Sequence, residues 1–161
     1  MVEVGPTSEN AQGSGPGMAR RMEVVVEGAR ARFVLLDDLA PRSTAALWDN
    51  LPIETTLTHG KLSGDACFFG VRSGPLMELP EQPEFGVTSI YQGYMVLFPS
   101  PSRGVAELLV SYGLAEYRWP TGRRYVTPVA ELEGDGSALF VALKRTHTHG
   151  ETRIVVRRVE G

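Results

Sequence analysis

From Met22 onward the chain alternates apolar and polar residues in short runs, each closed by glycine, proline or charge, a period of two that calls for strands. Glu23-Val-Val-Val-Glu27 and Ala31-Arg-Phe-Val-Leu-Leu36 flank Gly28-Ala29-Arg30, the spacing of a tight hairpin. Ile53, Thr55, Leu57 and His59 interleave with Glu54, Thr56 and Thr58, as do Cys67, Phe69 and Val71 with Ala66, Phe68 and Gly70. Residues 90–98 are the longest apolar strand candidate, which Pro99 and Pro101 stop. Residues 107–112 and 117–120 follow, with a turn at Thr121-Gly122, and 153–159 ends the chain as a strand.

Two helices interrupt this rhythm. Pro41 suits a first helical turn, where its missing amide proton would be unpaired in any case. Leu39, Ala46, Leu47 and Asn50 then fall on neighbouring turns, and Pro52 ends the helix because the residue before a proline leaves the helical region. Asp37 and Asp38 read as turn charges favoured at that helix's positive end. Ser137 is placed to cap a second helix over 138–147, with Leu139, Leu143 and His147 four residues apart and Gly150 closing it. A loop rich in proline and glutamate spans 74–83.

The first twenty residues differ in kind. Gly5, Pro6, Ser8, Gly13, Ser14, Gly15, Pro16 and Gly17 crowd a segment with almost nothing to bury, which predicts a disordered tail over 1–20 and one domain over 21–161. A domain of roughly 150 residues buries about two-thirds of its unfolded surface, so no covalent staple is needed. None is available either: Cys67 is the sole cysteine, which points to a reducing, cytoplasmic setting. With 16 basic and 19 acidic residues the net charge is −3, against the basic stripe that nucleic acid requires. No apolar run approaches the roughly 18 residues of a membrane helix, so no membrane partner is expected.

Residues 59–70, His-Gly-Lys-Leu-Ser-Gly-Asp-Ala-Cys-Phe-Phe-Gly, resemble the cyclophilin segment that runs from a Phe-His-Arg motif to a Cys-Gln-Gly-Gly motif, with the His and the Cys at matching spacing. Gly60 stands where a cyclophilin has its catalytic arginine, and Phe68 where it has glutamine. Arg42-Ser-Thr-Ala-Ala-Leu-Trp48 is similar to the Pro-Lys-Thr-x-x-Asn-Phe stretch of the cyclophilin first helix. The run from Met22 to Phe69 looks closer still to bacterial cyclophilin-like families, the small Thermotoga-type proteins and the DUF3830 group, in which a Leu-Ala-Pro-x-Thr helix leads to a His-x-x-x-x-Gly segment. The resemblance implies a mainly β fold: a closed eight-stranded cyclophilin-like barrel with a short helix near each end. It also implies a barrel without prolyl isomerase chemistry.

The residues themselves offer little conventional catalysis. His147 and His149 are two apart, on different helical faces, and the three histidines have no companion cysteines, so neither metal nor cofactor is expected. There is no Gly-x-Ser-x-Gly elbow, dinucleotide fingerprint or phosphate loop. Cys67, between apolar neighbours, reads as a small hydrophobe. Arg123-Arg124 and Arg157-Arg158 read as solvated edge charges. His59 is either a barrel histidine bonded to backbone or a polar contact for a ligand.

An aromatic and methionine inventory remains. Trp48, Phe68, Met77, Met95 and Tyr112 are expected to line a substrate cavity, with His59 and Tyr91 or Tyr94 as the catalytic groups that orient or polarise a ligand carbonyl. The cavity is expected between the helix carrying Trp48 and the strands bearing His59, Phe68, Tyr91 and Met95, opening beside the 74–83 loop. The function expected is a small-molecule-binding barrel, a cofactor-independent enzyme that isomerises or cyclises an apolar biosynthetic intermediate, for instance by pericyclic ring closure. Orientation alone removes several kcal/mol of barrier in such reactions. The alternative is a non-catalytic ligand- or peptide-binding module. The expected partner is an apolar small molecule, with a homo-oligomer left open.

Overall fold

The computed structural model describes residues 19–160, so the expected tail lies, apart from Ala19 and Arg20, outside the described residues. Strands β1 (Arg21–Val26) and β2 (Ala29–Leu35) form the first hairpin, turning on Glu27-Gly28, slightly earlier than the spacing suggested. Helix α1 (Pro41–Asn50) leads into β3 (Ile53–His59) and β4 (Gly64–Val71). A single 3-10 turn (Pro75–Glu78) precedes β5 (Ser89–Ile90) and β6 (Tyr94–Ser100), and another (Pro101–Arg103) precedes β7 (Val105–Glu116). A small hairpin of β8 (Arg118–Trp119) and β9 (Gly122–Arg123) leads to β10 (Thr127–Glu133), α2 (Ser137–His149) and β11 (Thr152–Arg158).

Antiparallel pairing runs β4-β3-β11-β1-β2-β10-β6-β7, and β7 returns to pair with β4. The result is a closed eight-stranded barrel, with β5 added beside the far end of β7. Alternation sorts the side chains into two cores. Val24, Phe33, Leu57, Cys67, Phe69, Met95, Leu97 and Leu108 fill the interior. Outside the β4–β7–β6 wall, Ala66, Val96 and Leu109 pack with Ile90, Tyr117 and Val126 from the segments that cross it, and half-buried Phe68, Tyr94 and Phe98 border them.

The helices take opposite ends of the barrel. Helix α2 packs on β1, β2, β3, β4 and β7 and buries Leu139, Ala142 and Leu143. Helix α1 packs on β10 and the Pro75–Glu78 turn, and hands the chain to the start of β3, whose seven residues separate it from His59 by roughly 20 Å. No acidic residue occupies the first turn of α1. Its orphan amides are met from afar instead: the carboxylate of Glu84 accepts Ser43 N–H at 2.9 Å and Arg42 N–H at 3.0 Å. Asp37, expected to serve that end, pairs with Arg20. Arg20 is thereby tied to the barrel, since its carbonyl also accepts Leu35 N–H and its guanidinium lies over Trp48.

Several expected boundaries move for physical reasons. The run over 90–98 is two strands, because Gly93 at φ +84° turns the chain between them and donates its N–H to Ser111. Pro99 does not stop β6, whose pairing with β10 has ended by Leu97; past that point only β7 borders it, and a missing donor costs nothing on the open side. Strand β10 escaped the pattern because it contains Pro128, which sits at a register shift before Ala130. Arg124 and Arg158, expected as solvated edge charges, lie over Trp119 and Trp48 at 4.5 and 4.7 Å, where a planar guanidinium is attracted to an indole face. Among the described residues no helix is long and apolar enough to cross a membrane.

Candidate functional site

His59 is the last residue of β3 and points inward at the α2 end of the barrel, only 6% exposed. Its bond is to a side chain and not to backbone: Nε2 lies 2.7 Å from the hydroxyl of Tyr112, an inward position of β7, which is separated from β3 by β4. The ring of His147, from the last turn of α2, meets it edge to face at 4.7 Å. Nδ1 of His59 is buried without a hydrogen-bond partner. Burial above all, helped by the nearby charges of His147 and Lys61, holds the imidazole pKa below its ordinary value, while Asp65 pulls the other way. Burial likewise pushes the Tyr112 phenol up to about 12, with Asp65 adding to the effect. Near neutrality the pair is therefore uncharged, one proton on the ring and one on the phenol.

Asp65 stands beside the pair. It approaches the sheet where residue 113 is glycine, and a Cβ there would stand 2.4 Å from its Oδ2. In the tautomer that carries its proton on Nε2, His59 donates to the Tyr112 oxygen, and Nδ1 keeps a lone pair with no protein partner. That is the arrangement of a general base held from behind at Nε2.

Three depressions border this histidine, the third a hollow of about 490 Å³ lined by Thr58, His147, His149 and Glu151. The first is a groove of about 680 Å³ on the outer wall, floored by Phe68 and Leu109, walled by Tyr117, Trp119 and Pro120, and rimmed by Arg103 and Arg118. Trp119 is steadied by Arg103 and Arg124, at 4.7 and 4.5 Å from its ring, and by the edge of Phe98. The Tyr117 hydroxyl donates to Glu107, and its pKa is pushed up to about 12 by burial and that carboxylate. The second depression, about 530 Å³, is lined by Asp65, Tyr112, Lys144, Arg145 and His147. His59 and Lys61 belong to all three.

Of the expected site, the structure sets His59 against Tyr112 and places Phe68 in the outer groove that borders the His59 position, and it disperses the rest. Trp48 and Met77 lie at the α1 end, where the Trp48 indole faces Arg20 and Arg158. Met95 is fully buried in the interior, because residue 95 faces inward where 94 faces out. Tyr91 is 63% exposed on the β5–β6 turn, and Tyr94 directs its hydroxyl to Glu131 on β10, beyond β7 and β6 from His59. Neither tyrosine stands beside His59; Tyr112 does, a residue expected only to line the cavity. The 74–83 loop, beside which the opening was expected, lies at the other end of the barrel from His59. Asp65, Leu109, Tyr117, Trp119 and His147 went unassigned, although the four-residue spacing of Leu139, Leu143 and His147 already set His147 one turn beyond the buried Leu143 of α2. Cys67 is a packing residue: its thiol donates to Leu143 O at 3.3 Å, and burial pushes its pKa up to about 11.

Among solved structures, the fold is shared with McbB in complex with tryptophan, at 17% identity and a TM-score of 0.65. That match covers 87% of this chain and 45% of McbB, so the chain spans a little under half the length of that protein. It is shared too with the hypothetical protein AF2241 from Archaeoglobus fulgidus, known from a solution structure, at 17% identity and a TM-score of 0.56, covering 88% of this chain and 95% of the other. Likeness at this identity is likeness of fold. No curated protein matches the chain. The profile of DUF3830, a protein of unknown function, matches residues 22–149.

Proposed function

The chain belongs to the DUF3830 family, and within it we propose a protein that binds an apolar small molecule in the Phe68 groove and rearranges it at His59 without a cofactor. One observation carries the reading: a buried neutral imidazole, held at Nε2 by Tyr112 and unpartnered at Nδ1, at the end of an aromatic groove. The reaction class that suits it is isomerisation or ring closure by proton relocation. Nδ1 takes a proton from a C–H bond next to a carbonyl, the electron pair moves into that carbonyl, and the proton returns at another atom as the new bond settles. Nothing is oxidised or lost. General acid–base catalysis of this kind is worth about 10²–10⁴-fold. That McbB, sharing the fold, was solved with tryptophan supports small-molecule binding by analogy.

The same substitutions speak against prolyl isomerisation. Gly60 offers no side-chain donor to a twisted amide, and Lys61 next to it lacks the bidentate fork of arginine. A non-catalytic binder is the second reading, favoured by the nearly complete burial of Nδ1, which a substrate reaches only if the ring or its cover shifts.

Native mass spectrometry of the freshly purified full chain, followed by turnover of whatever ligand is retained, tests the proposal. A retained apolar molecule, lost from Phe68→Ala and converted by wild type but not by His59→Gln, is the expected result. Conversion at an undiminished rate by His59→Gln would overturn the catalytic part and leave the binder.

A further inference from the structure

We propose that the ligand of this site is an acid, an apolar body carrying one anionic group, and that Lys61 is the residue that selects it. The inference rests on the binding groove proposed above and names the class of molecule it takes. Lys61 lies in the β3–β4 connection, next to Gly60, and lines all three depressions that border His59. Among the described residues no carboxylate stands within ion-pair distance of it. The other cations of the groove are partly engaged: Arg103 pairs with Glu107 and Arg118 with Glu116, each at 3.6 Å. A cation without an ion pair among the described residues, beside an apolar groove, is free to meet the charge of a ligand.

The wider field agrees. Arg103, Arg118 and Arg145 of the first two depressions are paired with Glu107, Glu116 and Glu27, which leaves Lys61 and Lys144 against Asp65, in a chain whose net charge is −3. A positive concavity on a negative molecule concentrates anionic ligands and turns neutral or cationic ones away. The floor of Phe68 and Leu109 and the wall of Trp119 and Pro120 suit a flat apolar body. An anionic group on that body reaches Lys61 at the end where the groove meets the His59 position.

Two dyes with one apolar body separate the possibilities. Anilinonaphthalene sulfonate carries an anionic group that phenylnaphthylamine lacks, and both fluoresce when bound. Titrated into the full chain, the sulfonate is expected to bind about tenfold more tightly than the uncharged dye, the scale of one hydrogen bond to a charged partner. Lys61→Gln is expected to remove that preference and to leave the uncharged dye unaffected, and Phe68→Ala to weaken both. Equal, Phe68-dependent affinities would overturn the acid selectivity while leaving the groove intact. A sulfonate preference that survives Lys61→Gln would overturn the assignment to Lys61. Binding of neither dye, or binding indifferent to Phe68→Ala, would overturn this inference and the groove together.

Discussion

Tyr112 shares a hydrogen bond with His59 Nε2 and has Asp65 beside it. Replacing it with phenylalanine removes the acceptor that holds His59 Nε2–H and frees the tautomer. Tyr112→Phe is therefore expected to lower turnover of the retained ligand by about 10²-fold with little change in KM, because it alters the base and not the groove. His59 itself is a pH-sensitive element of stability. Its folded pKa lies below the ordinary value, so just beneath about pH 6.5 the unfolded chain takes up a proton that the folded chain refuses. The stabilisation is complete above that pH and is lost as pH falls toward the folded value. Chemical denaturation from pH 7.5 down to 5 should show this slope, and His59→Gln should flatten it. Nitrogen-detected NMR of the imidazole is expected to place the midpoint below 6.5. Little of this was legible in the sequence. A histidine at the end of an alternating strand looks alike whether its partner is backbone or a tyrosine 53 residues on, and the partner is fixed only when β4 and β7 pair.

Strand β4 shows what an element can be asked to do. Phe68 and Phe69 are neighbours in sequence and face opposite cores. Phe69→Ala opens a cavity in the closed interior and is expected to cost about 3–5 kcal/mol in denaturant unfolding. Phe68→Ala, from a half-buried position, is expected to cost less stability and more ligand affinity, which calorimetry and dye titration on the same pair of variants would separate. The start of α1 offers a third test at this scale. Glu84→Ala strips two amides of their acceptor and is expected to cost about 1–2 kcal/mol. The lowered pKa of Glu84 adds that its contribution is present above about pH 4.5 and fades in more acid solution, as urea midpoints at pH 7 and pH 4 would show. Period-two alternation made β3 and β4 readable, and Pro41 with Pro52 bracketed α1, because those signals are local. The cap at Glu84, 41 residues from Ser43, and the bulge that admits Pro128 to β10 are answers to tertiary demands and leave no local mark.

Over the whole molecule, two expectations from the sequence remain to be measured. Removing residues 1–17 should leave the melting temperature within about a degree, since the segment has no apolar face to contribute; a fall of several degrees would mean that it packs on the barrel or on a second copy. A standard proline-peptide assay should find no rate above background, given Gly60 and Phe68. The barrel was legible at this scale through the spacing of His59 and Cys67, but the site was not. Alternation tells which residues share a face, whereas which end of a closed barrel stays open depends on where its two helices settle. A further consequence follows from β4, hydrogen-bonded to β3 on one side and to β7 on the other. It cannot slip or bend to suit a new ligand without breaking both ladders, so the groove floor is conservative by construction. Divergence in ligand preference has to arise in the pieces that merely lean over it: the Lys61 connection, the turn at Arg103 and the hairpin bearing Trp119. Within such a family, the rim can be rewritten from one member to the next while the wall behind it is inherited unchanged.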